Sequence, residues 1–238
     1  MIPVPDPSNE AGNQKSPVAS IVPGSIVSLG DRGFLARFDN EIDAEQWGRS
    51  IRTHPWPGLV DLSIAYKSVG LFFDPDRTDL EITEHQLRAF AILRNEAKPG
   101  REHQIPVLYD GLDLASSAEA LGLTTARLID LHVSQAYQIF AVGFLPGFPY
   151  AGYLPKELTG LSRLSSPRVR VPAGSVAIVG RQTAIYPGES PGGWRLIGRT
   201  PLRIVDLAAN FFPIEAGDRM RFLPIEAKSF AERLGESL

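Results

Sequence analysis

The chain contains no cysteine among its 238 residues. Disulfides, thiolate metal sites, iron–sulfur clusters and a cysteine nucleophile are therefore excluded. An excess of positive charge is also lacking: 24 Lys and Arg against 27 Asp and Glu give a formal net charge of −3. A nucleic-acid or anionic-membrane surface needs clustered Lys and Arg, so no nucleic acid and no membrane is expected as a partner. No apolar run approaches the ~20 residues that span a bilayer. Four histidines are present, His54, His85, His103 and His132, without metal-ligand spacing, so no metal is expected. The phosphate loop G-x-x-x-x-G-K-[ST], the zinc motif H-E-x-x-H and the nucleophile elbow G-x-S-x-G are all missing.

Glycine and proline, by contrast, are plentiful, at 22 and 20 residues. Residues 1–20 carry Pro3, Pro5, Pro7 and Pro17 among polar side chains, without the basic and apolar regions of a secretory signal. This segment is expected to be a disordered tail on a cytoplasmic protein.

The first half alternates short elements. Ser25–Leu29 and Phe34–Phe38 read as strands around a Gly30–Gly33 turn. A helix follows, with Asp43 as its cap, Gln46 completing the box, and Ile42 stapled to Trp47. Leu59–Tyr66 and Val69–Phe73 are two further strands around Lys67-Ser68. A second helix repeats the entry grammar with Thr83, Gln86, Ile82 and Leu87, and Lys98-Pro99-Gly100 ends it. This order predicts a small antiparallel sheet with two helices on one face.

After Gly100 the texture changes. Ile105–Tyr109 reads as a strand, and Ser117–Leu121 and Thr125–Leu131 as helices. Beyond them, Ser175–Val179, Thr183–Tyr186, Trp194–Ile197, Leu202–Val205 and Arg219–Leu223 are β-rich runs separated by turn residues. Such spacing suggests a barrel or sandwich. The fold class is thus α+β: a disordered tail (1–20), an N-terminal α/β sandwich domain (21–100) and a β-barrel domain (101–238).

Candidate chemistry concentrates between Gly143 and Thr200. If its segment is extended, Arg168 and Arg170 share one face and suit a bidentate clamp on a carboxylate or phosphate. Ser175, Gln182, Thr183 and Tyr186 add neutral donors and acceptors. Gly192 and Gly193 would let backbone amides approach an oxyanion. His132 and Glu189 are candidate acid or base groups. A second reading fits equally well: the arginines satisfy loop carbonyls and Gly192-Gly193 is a hairpin turn.

The runs Gly143-Phe-Leu-Pro-Gly-Phe-Pro-Tyr150, Pro167-Arg-Val-Arg-Val-Pro-Ala-Gly-Ser175, Glu189-Ser-Pro-Gly-Gly-Trp194 and Leu196-Ile-Gly-Arg-Thr-Pro-Leu202 resemble one family. Gln182-Thr183 with Ile185-Tyr186-Pro187, and Gly217-Asp218-Arg219, belong to the same match. It is the carboxyltransferase subdomain C and D family, which includes allophanate hydrolase subunit 1, the kinase inhibitor KipI and the B subunit of 5-oxoprolinase. The resemblance runs from about Ile21 to Ile225 and implies that the barrel is cyclophilin-like. It implies ATP-dependent opening of 5-oxoproline to glutamate by a complex, with ATP at a site shared with or on another subunit. Expected partners are a companion cyclophilin-like subunit (PxpC/KipA type) and a third subunit (PxpA/LamB type). No biotin is expected on this chain, which shows no biotin-carboxylase or carrier region. The candidate catalytic residues are then His132 and Glu189, as acid or base, and Gln182, within the motifs, as a donor. Phe148, Tyr150, Arg168, Arg170, Ser175, Thr183, Tyr186, Gly192, Gly193, Trp194 and Arg199 would bind substrate. Arg181 and Ala184 stand where many members have glycine, and Ala151 where a larger apolar residue is commoner. The alternative functions are a KipI-like inhibitor of a sensor histidine kinase and a carboxyltransferase component of an allophanate hydrolase or urea carboxylase system.

Overall fold

The computed structural model describes residues 20–94 and 100–238. The expected tail, apart from Ser20, and the Lys98-Pro99 stop lie outside the described residues. Two hairpins alternate with two helices. β1 (Ser20–Ile21), β2 (Ser25–Ser28) and β3 (Gly33–Arg37) lead to α1 (Glu41–Thr53). β4 (Leu59–Ala65) and β5 (Ser68–Phe73) lead to α2 (Leu80–Ala89) and the short β6 (Ile92–Leu93). The second half runs through β7 (Glu102–Val107), α3 (Leu114–Ala120), α4 (Thr125–Val133), β8 (Ala136–Val142) and β9 (Pro149–Gly152). It continues through β10 (Arg168–Val171), β11 (Ser175–Val179), β12 (Gln182–Ile185), β13 (Ser190–Gly192), β14 (Arg195–Arg199), β15 (Arg219–Pro224) and α5 (Ala227–Glu232).

The expected strand–strand–helix order of the first half is present, but the helix starts are elsewhere. Asn40, not Asp43, caps α1: it is extended (φ −143°), and its side chain accepts from the Asp43 N–H at 2.9 Å. Asp43 is already helical, where its charge suits the positive helix end. Asp79 caps α2 by accepting from the N–H groups of Glu81 and Ile82. Thr83 lies inside that helix, returning its hydroxyl to the Asp79 carbonyl at 2.7 Å. Both sequence assignments slid one turn too far because a capping Asn or Asp was followed by another plausible cap. Gln46 closes no box, since its Oε1 is buried without a partner among the described residues. Ile42 and Ile82 are more than half exposed, so neither staples its helix. α2 ends at Ala89, well before Lys98. Leu202–Val205 forms no strand; Arg203 makes an isolated bridge to Ser237. Sequence reading also left out β1, β6, β8, β9, β13 and α5, and gave β10 only as the condition on which Arg168 and Arg170 share a face.

The main sheet runs β14-β11-β12-β9-β8-β4-β5-β3-β2, with β15 pairing both β8 and β7. All of these pairs are antiparallel except β7–β15, which is parallel. In β4 the period of two is plain: Leu62 and Ile64 are buried while Asp61 and Ser63 are exposed. The β-rich half does not close as a ladder. Past β14 a single bridge, Leu108 to Arg199, reaches the segment after β7.

Buried apolar residues form three clusters. One lies under the first sheet half, around Trp47, Ile51, Leu71 and Phe73. The second fills the β-rich half, around Tyr137, Ile139, Val176, Ile185 and Phe222. The third is a small aromatic cluster of Phe148, Tyr186 and Trp194, with Tyr150 against it. Trp47 ties the first together by donating its Nε1 hydrogen to the Phe90 carbonyl at 3.0 Å.

A charged junction joins α1 to the second half. Asp218, 3% exposed, accepts from the N–H of Arg101 (2.9 Å), the N–H of Glu215 (3.1 Å) and His103 Nε2 (3.0 Å). Burial pushes the Asp218 carboxyl up, but the hydrogen bonds from His103, Glu215 and Arg101 outweigh it and hold the carboxyl below its usual range. From α1, Arg49 lies 3.8 Å from Asp218 and 3.4 Å from Glu45. Burial drives the Glu45 carboxyl from 4.5 up to about 7, against the pull of Arg49 and helped by the Asp218 charge. The folded chain therefore keeps this proton between those two values while the unfolded chain releases it. Stability from this group is full below the unfolded value and is lost as pH rises through about 7. Glu45→Gln is expected to unfold at higher urea than the parent at pH 8, by about 2–3 kcal/mol. At pH 5 the two should nearly coincide, and equal midpoints at both pH values would refute the assignment.

Candidate functional site

The tip of the β4–β5 hairpin, Tyr66-Lys67, overhangs the edge where β9 meets β12. Between them lies a cleft of about 1030 Å³, lined by Arg37, Glu41, Tyr66, Lys67, Tyr153, Arg163, Arg181 and Gln182, among others. Tyr66 adopts a left-handed backbone (φ 52°), a conformation that glycine or asparagine usually supplies in such a turn. Two contacts hold it there. Its N–H donates to the Phe140 carbonyl of β8 at 3.0 Å. Its ring stacks on Phe140 with centroids 5.8 Å apart. Gln182, at the start of β12, donates its Nε2 hydrogen to the Tyr66 hydroxyl oxygen.

The opposite wall is built the same way. The Tyr153 hydroxyl donates to Glu41 at 2.7 Å, and the Arg181 guanidinium lies 4.0 Å over the Tyr153 ring. Lys67 Nζ donates to the Asp39 carbonyl at 2.8 Å. Glu41 is the single carboxylate among the described lining residues. Burial raises the Glu41 carboxyl, but the Tyr153 hydrogen bond and nearby Lys67 and Arg181 more than offset it, so it stays ionised at neutral pH. Burial pushes the Tyr66 phenol up, against the hydrogen bond from Gln182, and keeps it protonated.

What distinguishes this cleft is a cluster of positive charge. Many arginines elsewhere are neutralised, Arg88 by Glu84, Arg94 by Asp43, Arg168 by Asp113, Arg170 by Glu189, Arg199 by Asp110 and Arg221 by Glu102. Those that are not neutralised among the described residues, such as Arg77, Arg101, Arg127 and Arg195, line neither this cleft nor the second cavity. Arg37, Lys67, Arg163 and Arg181 have no carboxylate within 4.0 Å among the described residues. Four cations facing one hydrogen-bonded carboxylate make a cavity fit for a small anion.

Of the sequence-predicted residues, Gln182 lines this cleft. Arg199 and Ser175 line a second cavity of about 660 Å³, together with Asp110, Thr200 and Phe230. Arg199 is held by Asp110 in a fork (3.1 and 2.8 Å) and lies 4.4 Å over the Phe230 ring. Ser175 donates to the Pro172 carbonyl at 2.7 Å. Arg168 and Arg170 do not converge. Arg168 reaches inward to Asp113 at 2.6 Å, whose other oxygen accepts the Leu196 N–H at 2.7 Å. Arg170, on the exposed side, makes a fork with Glu189 at 3.0 and 2.9 Å. Phe148, Tyr186 and Trp194 pack edge-to-face in the aromatic cluster, with Phe148 and Tyr186 1% exposed. Tyr150 closes that cluster, 4.9 Å from Phe148. Gly192 sits where a Cβ would strike the Tyr186 hydroxyl, while at Gly193 the nearest atoms, on Pro167, are 3.7 Å away. The Gly193 carbonyl accepts the Leu164 N–H at 2.8 Å.

His132 is fully buried. Its Nδ1 pairs with the Tyr109 hydroxyl at 2.7 Å and its Nε2 with the Thr183 hydroxyl at 2.9 Å. Its ring stacks on Phe222 at 4.5 Å. Both nitrogens are engaged, and burial lowers its pKa to about 3, so it stands as a neutral core group.

Sequence reasoning passed over Arg37, Glu41, Tyr66, Lys67, Tyr153 and Arg163. They come from distant segments, and no spacing links them. The one local signal was Tyr66-Lys67, a bulky pair occupying a two-residue hairpin turn.

Residues 25–212 match the family model described as carboxyltransferase domain, subdomain C and D. The 5-oxoprolinase B subunit of Bacillus subtilis is 32% identical over 229 residues, 86% of this chain and 94% of that protein. The 5-oxoprolinase B subunit of Haemophilus influenzae is 44% identical over 169 residues, 69% of this chain and 79% of that protein. Among solved structures, TTHA0988 aligns with a TM-score of 0.74 and 36% identity over 82% of this chain, which spans only 40% of that longer chain. The K. lactis urea amidolyase shares the fold, with a TM-score of 0.61 and 17% identity over 87% of this chain and 15% of its own.

The burial of His132 sets a measurable acid response. Its folded value lies below the ordinary 6.5, so the unfolded state takes up a proton that the folded state refuses. Its contribution to stability is complete above 6.5 and is lost as pH falls toward about 3. His132→Ala is expected to cost about 3–4 kcal/mol at pH 7, from the cavity and the orphaned hydroxyls of Tyr109 and Thr183. It should also flatten the acid slope in stepwise denaturation; an unchanged slope would contradict this account.

Proposed function

Because this chain belongs to the carboxyltransferase subdomain C and D family, we propose that it is the B subunit of an ATP-dependent 5-oxoprolinase. The complex would convert 5-oxoproline to glutamate, and the cleft at Gln182 would be this chain's share of the substrate site. The observation that carries the reading is the set of four unpaired cations around Gln182 in a chain whose relatives bear that name. A lactam carbonyl is a poor electrophile. Transfer of the ATP γ-phosphoryl group to its oxygen activates the carbon for attack by water. The ring C–N bond of that adduct then breaks, the nitrogen leaving as the protonated amine, and a second water cleaves the resulting acyl phosphate to glutamate and phosphate. Both the substrate carboxylate and the phosphoryl group need cationic partners.

In this reading Lys67, Arg181 and Arg37 receive the anion, and Gln182 orients the cleft wall. ATP is a substrate bound at a site shared with, or lying on, another subunit. The partners are a companion cyclophilin-like subunit and a third subunit, and the assembly works in the cytoplasm. The chain itself divides into an N-terminal α+β domain (21–100) and a cyclophilin-like barrel (101–238). No helix of the described residues is long and apolar enough to cross a membrane.

The likeness to the urea amidolyase fold favours one alternative, a carboxyltransferase component acting on a carboxybiotin partner. A streptavidin blot of the purified complex separates the two readings. The main test is to assemble this chain with its companions and measure glutamate released from 5-oxoproline and ATP. Lys67→Met and Arg181→Met should each raise KM about tenfold, the loss of one charge-assisted contact, with the complex still assembled. A correctly assembled complex that releases no glutamate would sink the proposal.

A further inference from the structure

The Tyr66 hydroxyl has a feature that its neighbours do not share. Its oxygen accepts a hydrogen from Gln182, and no acceptor among the described residues takes the phenolic hydrogen in return. A phenol has one hydrogen to give, and here it is left for whatever fills the cleft that Tyr66 lines. Contrast Tyr153 on the facing wall, whose hydrogen is already committed to Glu41.

The backbone fixes where that hydrogen is delivered. Tyr66 keeps a left-handed conformation that costs a bulky residue roughly 1–2 kcal/mol. The bond to the Phe140 carbonyl and the stack on the Phe140 ring hold it there. A residue kept in an uncommon conformation at the mouth of a cationic cavity is pre-organised for a ligand.

We infer that Tyr66 is the neutral hydrogen-bond donor of this cleft, set by Gln182 to give its phenolic hydrogen to an oxyanion held between Lys67 and Arg181. Gln182 is then a positioning residue that acts through Tyr66. The ligand chemistry is that shared by a carboxylate and a phosphoryl group. This rests on the cleft being the ligand site proposed above, and it adds a neutral donor of fixed position to the charge that Lys67 and Arg181 supply.

The test is calorimetric titration of the intact chain, and of the assembled complex, with 5-oxoproline and separately with ATP. Tyr66→Phe keeps the ring stack and the backbone bond, so its melting temperature should match the parent. Its affinity for one of the two probes should fall about tenfold, the usual loss for a hydrogen bond to a charged acceptor. The probe affected assigns the oxyanion as carboxylate or phosphoryl. Gln182→Met should weaken the same probe severalfold in the parent and add nothing in the Tyr66→Phe background, a non-additivity that a merely structural role would not produce. If Tyr66→Phe fails to fold, Gln182→Met alone decides, and unchanged affinity there overturns the inference. So do parental affinity in Tyr66→Phe, equal Gln182→Met costs in both backgrounds, or a parent that binds neither probe. A complex that releases glutamate with Tyr66→Phe at parental kcat/KM sinks this inference and spares the functional proposal. Loss of affinity in Tyr66→Phe, in a complex that makes no glutamate, does the reverse.

Discussion

Strand β8 is the constraint on which the rest depends. It pairs with β9 along one edge, with β15 near its start and with β4 through the single Ala65–Ala141 position. Its side chains serve different regions: Tyr137 and Ile139 fill the core of the β-rich half, and Phe140 turns to the cleft. The Phe140 carbonyl is where the β4–β5 hairpin is fastened, through the Tyr66 N–H. That bond and the ring stack on Phe140 seat the left-handed tyrosine of the turn against β8, so that Tyr66 and Lys67 face Gln182. The cleft is thus a consequence of how one sheet half is hung from a strand of the other.

The electrostatics follow from the same arrangement. A chain with a net charge of −3 offers an anion no overall attraction, and the positive charge of this cleft comes from distribution. Acids are placed against the arginines that pack on or near the core, as Asp113 is on Arg168 and Asp218 on Arg49 and His103. Those pairs close off charge that a partly buried position could not tolerate alone. Around the hairpin tip the acids are withheld, and the nearest one, Glu41, is occupied by Tyr153. Net charge excluded a broad basic surface, as for nucleic acid, but says nothing about a pocket a few residues wide.

The sequence was legible where a rule acts locally. The hairpins, α1, α2 and β11 follow from period-two and capping patterns, with ends misplaced where Asn40 competed with Asp43 and Asp79 with Thr83. β8 was not legible. Its run Ala-Tyr-Gln-Ile-Phe-Ala-Val follows α4 with only Ser134 and Gln135 between them, so no turn signal announces it. The site was legible only at Gln182. Arg168 and Arg170 sit in a strand of the expected extended form, yet the partners that claim them, Asp113 and Glu189, are set by the packing of α3 and β13. Two side chains on one face share a direction, and they share a ligand only if nothing nearer neutralises them first.

This separates two meanings that a recognisable motif can carry. The Gly/Pro-rich stretch resembles its family most strongly, but much of it answers to packing. Gly192 has no Cβ because the Tyr186 hydroxyl occupies that space. Gly198 lies against the Leu108 carbonyl, where a Cβ would come within 2.7 Å. Phe148, Tyr186 and Trp194 interlock edge-to-face at angles of 82° and 88°. Such positions admit few substitutions whatever the protein does, so they mark the scaffold. Arg37, Lys67 and Arg181 are exposed; Lys67 donates to the Asp39 carbonyl and Arg181 lies over the Tyr153 ring, contacts made at the surface and outside the core. Together with Arg163 they converge on one cavity that offers a single carboxylate among its described lining residues, an excess of charge that those contacts do not require, and such a cluster is better evidence of a ligand than a buried motif that packs the scaffold.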